Sequence, residues 1–93
     1  MMEQSKKDAG TIAALMVRMK ESRLPRAKLM LDKVNAGDTL SDSDIRFLKR
    51  VYEEGRGNQA LVSRNPEYHG LITQFIDMYT EIITRGLENE KSR

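Results

Sequence analysis

Apolar residues recur every three or four positions through most of the chain, which is the spacing of one face of an α-helix. Four segments show this spacing, over about 9–22, 24–36, 41–55 and 65–90, and a further helical turn is expected around 59–62. The pattern predicts an all-α protein. We expect a small bundle of four helices, three of them short and one long at the C-terminal end, joined by short loops.

Capping and breaking residues set the expected helix boundaries. Pro25 suits the first position of a helix and disfavours helical backbone at Leu24, so the first two helices are expected to meet at a corner there. Gly37 can take the left-handed conformation that ends the second helix. Ser41, followed three residues later by Asp44, resembles a capping box and predicts the start of the third helix.

The last predicted helix is apolar over about 160° of its circumference, which is wider than the ~100° stripe of an ordinary surface helix. Such a helix contacts neighbours on two sides, either as the centre of the domain or at an interface with another chain. The candidate interface residues are Leu71, Phe75, Met78, Tyr79, Ile82 and Ile83. Leu29 lies outside the apolar stripe of its own helix and adds further apolar surface.

The length of 93 residues allows one domain and is too short for two. We expect a single helical-bundle domain over 9–90, with a disordered tail over 1–8 and a frayed C-terminus over 91–93. The apolar stretch near the N-terminus has Asp8 at its edge and Arg18 after it, without a cleavage site, which argues against a signal peptide. No window holds the ~18–20 apolar residues of a membrane span, so we expect a cytoplasmic protein without membrane contact.

The excess of positive charge lies in the first part of the chain. Residues 1–37 carry eight Lys or Arg against four Asp or Glu, whereas 38–57 and 58–93 each carry four against five. The candidate anion or nucleic-acid contacts are Arg18, Lys20, Arg23, Arg26 and Lys28, around the predicted corner, where they could bind phosphates. However, no aromatic residue alternates with these cations, as stacking on single-stranded nucleic acid requires.

Residues for catalysis or cofactor binding are scarce. The chain has no cysteine and one histidine, His69, expected to be a partly exposed polar residue near a helix start, with a pH-sensing or ligand-contacting role as the alternative. The segment with Arg56 and Gly57 lacks the spacing of a phosphate-binding loop, although it could lie near an anion. No carboxylate pair lies in an apolar setting. We therefore expect no catalytic, cofactor-binding or metal-ligating residues, no cofactor and no enzymatic activity.

The acidic stretch NAGDTLSDSDI raises the question of calcium, because its second half resembles the end of an EF-hand loop. In that alignment Asp44 takes position 12, but Lys33 takes position 1 and Asp38 takes position 6. Calcium needs an oxygen ligand at position 1 and the turn needs glycine at position 6. We therefore expect no calcium, and assign the acidity to the positive end of the third helix dipole.

These observations favour a small non-enzymatic protein-interaction or regulatory domain. Its expected partner is another protein or a second copy of the chain, because a homodimer through the C-terminal helix would account for the breadth of apolar surface there. The alternative is a weakly basic protein associated with nucleic acid, which would bind through the corner between the first and second helices.

Overall fold

The structure is a computed structural model that describes the backbone of residues 2–92 and the side chains of residues 10–92. Its elements are α1 (Met2–Arg18), a π-helical segment (Met19–Arg23), α2 (Leu24–Asn35), α3 (Asp42–Gly57), α4 (Gln59–Arg64) and α5 (Pro66–Lys91). The first three follow one another without a loop, so the described residues form four helices and no strand. The predicted all-α class, the small bundle and the long C-terminal helix are confirmed.

The expected corner at Leu24 is wrong, because helical backbone continues through it. The Leu24 N–H donates to the carbonyl of Met19, five residues earlier, which is the hydrogen bond of a π-helix. In a regular α-helix the ring of Pro25 would clash with the carbonyl of Glu21, and its nitrogen has no hydrogen to donate. The wider π turn lies where this conflict would arise, so the chain accommodates the proline without ending the helix.

The first helix also begins earlier than expected, at Met2 instead of near Ala9. Its first turns contain Glu, Gln and Lys, which are good helix formers, and no proline interrupts them. The predicted tail over 1–8 is therefore helical from Met2 onward, and Met1 lies outside the described residues. At the other end α5 stops at Lys91, where the frayed C-terminus was expected to begin, and Arg93 lies outside the described residues.

Two ion pairs show that α2 and α3 run in opposite directions. Arg23, the residue just before α2, pairs with Glu54 near the end of α3. Lys33, near the end of α2, contacts Asp44 in the first turn of α3, with 2.9 Å between Nζ and Oδ2. The loop between the two helices is short, and an antiparallel hairpin follows from it.

Contacts at both ends of α5 show that it runs in the same direction as α2. Lys20 approaches Glu67 in the first turn of α5 at 3.6 Å. At the far end the Asn89 side chain donates to the carbonyl oxygens of Val34, at 2.8 Å, and Asp38, at 2.7 Å. Because α3 runs opposite to both, α2, α3 and α5 form an up-down-up bundle, and most of α1 extends beyond the first turn of α5.

The bundle encloses one continuous core, made of Met19, Ala27, Met30, Phe47, Leu48, Val51, Phe75 and Ile82. The buried residues of α5 recur mainly at intervals of seven and form what we call the core stripe of α5: Tyr68, Phe75, Ile82 and Gly86. Gly86 allows close packing, because a Cβ there would lie 3.0 Å from Cδ1 of Leu40, a tight contact that the leucine side chain would have to shift to relieve. The molecule is elongated, 56 × 20 × 20 Å.

The loop before α3 has the conformation that the sequence predicts. Gly37 has a φ of 98°, the left-handed conformation expected for the residue that ends α2. The predicted capping box is present: the Asp44 N–H donates to Oγ of Ser41 at 3.1 Å, and the Ser41 N–H donates to Oδ2 of Asp44 at 3.0 Å. These bonds satisfy two backbone donors at the start of α3 and fix its first residue.

Candidate functional site

The structure divides the predicted interface residues of α5 between the core and the surface. Phe75 and Ile82 are 1% and 0% exposed, so they fill the core of their own chain and offer no surface to a partner. Leu71 and Met78 are half-buried against the same core. These four residues therefore explain why α5 is so apolar without requiring a second chain.

The other two predicted residues, Tyr79 and Ile83, are also half-buried against the core, and they border an apolar strip between α3 and α5. We call this strip the α3–α5 groove; its residues are Ile45, Tyr52, Ile76, Tyr79, Ile83 and Leu87. Four of its side chains are exposed: Ile45 by 47%, Tyr52 by 39%, Ile76 by 41% and Leu87 by 53%. Contiguous exposed apolar surface of this kind is typical of a site where another protein binds.

Local helix geometry explains how the groove forms. Ile45 and Tyr52 are seven residues apart on α3, and the α5 residues follow one another at intervals of three or four, so each set lies on one side of its helix. Tyr52 and Tyr79 join the two helices through stacked rings, with centroids 5.4 Å apart and planes 18° from parallel. The stack forms the middle of the groove.

A concave pocket lies at each end of the groove. The C-terminal pocket has a volume of about 120 Å³ and is lined by Leu40, Ile45, Ile83, Gly86, Leu87 and Glu90. The larger one, which we call the α4 pocket, has a volume of about 420 Å³ and lies between α3, α4 and α5. It is lined by Val51, Tyr52, Gly55, Arg56, Gln59, Val62, Ser63, His69, Ile72, Thr73 and Ile76.

The two ends of the groove differ in charge. Arg56 and His69 line the α4 pocket, whose lining includes no carboxylate. Glu90 lines the C-terminal pocket, whose lining includes no basic residue. Lys49 is exposed on α3, four residues after Ile45, and no ion pair to it is present within residues 10–92. The α4 pocket is therefore lined by basic side chains and the C-terminal pocket by an acidic one, and Lys49 adds an exposed cation between Ile45 and Tyr52.

The cations predicted to bind nucleic acid do not form a cluster at a corner. Arg23 is buried, only 9% exposed, and pairs with Glu54. The guanidinium carbon of Arg26 lies 4.2 Å from the centre of the Phe47 ring, a cation–π contact. Lys20 faces Glu67. Only Arg18 and Lys28 of the five are exposed without a contact of this kind within the described residues.

In the acidic stretch, Asp44 caps the start of α3 together with Ser41. Burial of Asp44 raises its pKa, but hydrogen bonds from the Ser41 backbone and the Lys33 ammonium outweigh burial and hold the pKa of Asp44 below its ordinary value of 3.8. The carboxylate therefore stays charged and occupied by these partners. Among residues 10–92 no group of three or more His, Asp or Glu side chains is arranged to hold a metal ion.

Two structural residues were not identified from the sequence. Arg23 was predicted as a surface cation, and the only signal for its burial is its spacing of four from both Met19 and Ala27 on one helix face. Asn89 joins α5 to the end of α2 across 55 positions of sequence. Nothing near Asn89 in the sequence indicates such a long-range contact.

Four groove residues were also missed: Ile45, Tyr52, Ile76 and Leu87. On α5, Ile76, Ile83 and Leu87 recur at intervals of seven and four, on one side of the core stripe. This spacing was the available signal.

None of the helices described here is both long and apolar enough to cross a membrane. Comparison of the chain with family models, with curated proteins and with solved structures found no match in any of the three.

Proposed function

We propose that this protein is a small non-enzymatic interaction or regulatory domain that associates with a second copy of itself through the α3–α5 groove. The observation that carries the proposal is the row of exposed apolar side chains in the groove, four of them 39–53% exposed. Burying apolar surface contributes roughly 25 cal/mol per Å², so covering these side chains would favour association.

A second copy is favoured as the partner because the groove carries both charges that a self-complementary surface needs. A symmetric dimer uses the same patch on both subunits, so each feature must match another within that patch. The basic end with Arg56 and the acidic end with Glu90 meet this condition. We include a cytoplasmic location in the proposal, since a chain without cysteine needs no oxidising compartment to fold.

The nucleic-acid alternative has weaker support. It depends on five cations acting together, but Arg23 is buried in an ion pair and Arg26 lies over an aromatic ring. Without a loop between α1 and α2, Arg18, Lys20 and Lys28 lie along about 15 Å of one helical run, at 1.5 Å per residue, and no corner brings them together. Phosphate binding would require several of them to converge.

Sedimentation at two protein concentrations tests the proposal, with Leu87→Glu as the disrupting variant and Leu29→Glu as its control. Both leucines are exposed on helices, Leu87 by 53% in the groove and Leu29 by 69% on α2. We expect a dimer for the unmodified chain and for Leu29→Glu, and a monomer for Leu87→Glu, because a charge in the groove cannot be buried without a partner. A chain that is monomeric at both concentrations would disprove the proposal.

A further inference from the structure

The α4 pocket is formed by one face of each of three helices. On α5 its lining residues begin at His69 and recur at intervals of three or four up to Ile76, so they lie on one side of that helix. On α4 the lining residues Gln59 and Ser63 are four apart, and the rest of the lining comes from 51–56, near the end of α3. The volume of about 420 Å³ lies within the roughly 300–1,000 Å³ that small-molecule sites occupy.

The helix that closes the pocket, α4, is held at both ends but is not packed into the core. The Asn58 side chain donates to the carbonyl oxygen of Glu54 at 2.9 Å, and the Asn65 side chain donates to that of Leu61 at 2.8 Å. None of the six residues of α4 is buried, and Leu61 and Val62 are half-buried. Because protein interiors are normally close-packed, an unfilled space beside α4 leaves these apolar side chains available for contact with a ligand.

The floor of the pocket is apolar. Val51 is only 2% exposed, and Val62 and Ile72 are half-buried, so these three side chains form the floor. Gly55 lets α3 approach α5 here, since an added Cβ would lie 3.8 Å from Cδ1 of Ile72. An apolar ligand group in contact with the floor would be removed from water, which favours binding.

The rim of the pocket is polar and positively charged. The polar side chains that line it are all exposed: Arg56, Gln59, Ser63, His69 and Thr73. Arg56 makes no ion pair within residues 10–92, and the lining includes no carboxylate. A guanidinium can donate two parallel hydrogen bonds to a carboxylate, and the ring of His69 adds an N–H donor. The rim therefore favours an anionic group.

The charges around the pocket favour an anion as well. Lys49 lies seven residues before Arg56 on the same side of α3, and it is exposed. Glu54 is engaged in its buried ion pair, and the exposed Glu53 and Asp77 lie outside the lining. One guanidinium with one imidazole suits a single carboxylate, whereas phosphate binding generally requires several cations to converge.

We propose that the α4 pocket binds a small amphiphilic carboxylate, with its apolar chain on the floor of the pocket and its carboxylate on Arg56 at the rim. The assignment rests on the meeting of an unfilled apolar cavity and an unpaired arginine at its opening. Octanoate has both the chain and the charge that this arrangement needs. The pocket is formed within one chain, so this inference does not depend on the proposed self-association.

Titration of the isotopically labelled chain with octanoate, followed by nuclear magnetic resonance, tests the site. We expect the largest shifts of amide resonances in residues 59–64 and 72–76. Octanol carries the chain without the charge and should bind about tenfold more weakly, because it lacks a charged hydrogen bond to Arg56. Acetate carries the charge without the chain and should bind more weakly still, because it buries almost no apolar surface.

Two pairs of variants locate the ligand. Arg56→Gln should weaken octanoate binding about tenfold and leave octanol binding unchanged, whereas Arg46→Gln, an exposed position of α3 outside the lining, should change neither. Thr73→Trp places a large ring at the rim and should prevent binding of both molecules. Its control is Thr80→Trp, an exposed position seven residues later on α5 and outside the lining. Circular dichroism verifies that each variant is folded.

The inference is wrong if octanoate leaves the resonances of residues 59–64 unchanged, or if Arg56→Gln binds octanoate as tightly as the unmodified chain does. It is equally wrong if acetate binds as tightly as octanoate, or if Thr80→Trp prevents binding as completely as Thr73→Trp. Its failure is distinguishable from that of the proposed function. A chain that is monomeric in sedimentation but binds octanoate as described would disprove self-association and support the ligand site.

Discussion

Helix α5 has two apolar sides, one covered by the rest of the chain and one partly exposed to solvent. Its core stripe, including Phe75 and Ile82, is 0–2% exposed for the large side chains and is covered by the chain itself. Ile76, the residue after Phe75, is 41% exposed in the α3–α5 groove. The two sides have similar composition and the same helical spacing, so apolar periodicity alone does not distinguish a core from a binding surface. The presence or absence of a covering helix decides between them.

The largest expected effect compares two adjacent residues, one on each side. Phe75→Ala should lower the free energy of unfolding by about 3–5 kcal/mol, because it leaves a cavity in the core. Ile76→Ala should lower it by less than about 1 kcal/mol, since much of that side chain is already in water, but should weaken dimerisation. Urea denaturation of both variants at a concentration where the chain is monomeric measures this difference. Equal losses for the two would show that the groove belongs to the core.

The second comparison is between a buried charged residue, Arg23, and an exposed one, Arg56. Oε2 of Glu54 is buried with Arg23 as its ion-pair partner and has no further hydrogen bond within the described residues. Arg23→Met should therefore cost about 2–4 kcal/mol of stability, because it leaves this carboxylate uncompensated. Arg56→Met, an exposed position in the lining of the α4 pocket, should change stability by less than about 0.5 kcal/mol.

The double variant Arg23→Met with Glu54→Met provides the control for this comparison. Removing both charges takes away the penalty of the unpaired carboxylate, so we expect most of the lost stability to return. Chemical denaturation of the single and double variants gives the coupling between the two positions. A double variant that is as unstable as Arg23→Met would indicate that Arg23 acts through packing of its aliphatic chain and not through its charge.

A smaller effect is expected where α5 is attached to α2. Asn89→Ala removes two hydrogen bonds, to the carbonyl oxygens of Val34 and Asp38, and should lower stability by about 1–3 kcal/mol. The neighbouring exposed Glu88→Ala should leave stability within about 0.5 kcal/mol of the unmodified chain. Amide hydrogen exchange should show faster exchange in the last turns of α5 for Asn89→Ala. Unchanged protection there would contradict the attachment.

The smallest expected effect is a decrease in the free energy of unfolding at alkaline pH, caused by Tyr68 of the core stripe. Burial raises the pKa of Tyr68 above its ordinary value of 10.0, opposed by the charge of Arg23 and assisted by that of Glu54. The unfolded chain loses this proton near pH 10.0 while the folded chain retains it, so the Tyr68 contribution to stability is complete below pH 10.0 and is lost as pH rises above it. Urea denaturation at a series of alkaline pH values should show a shallower decline for Tyr68→Phe, and an unchanged slope would refute this assignment.

Much of the fold was predictable because helix periodicity and capping are local. The Ser41–Asp44 capping box and the left-handed Gly37 appear where the sequence placed them. Pro25 was misinterpreted because its local preference to end a helix is weaker than the packing on both sides of it, where Met19 and Ala27 are buried. Of the residues predicted for an interface, Tyr79 and Ile83 border the groove, whereas Ile76 and Leu87 were not among those predicted.

The sequence by itself determined that this chain is helical, where α3 and α5 begin, and that α5 carries more apolar surface than one neighbour can cover. Those properties depend on contacts between residues a few positions apart. Tertiary structure alone decided that Phe75 faces the core while Ile76 faces solvent, that Arg23 is buried, and that Asn89 reaches α2. Each of these depends on which helix lies opposite, and the spacing of residues within one helix carries no information about that neighbour.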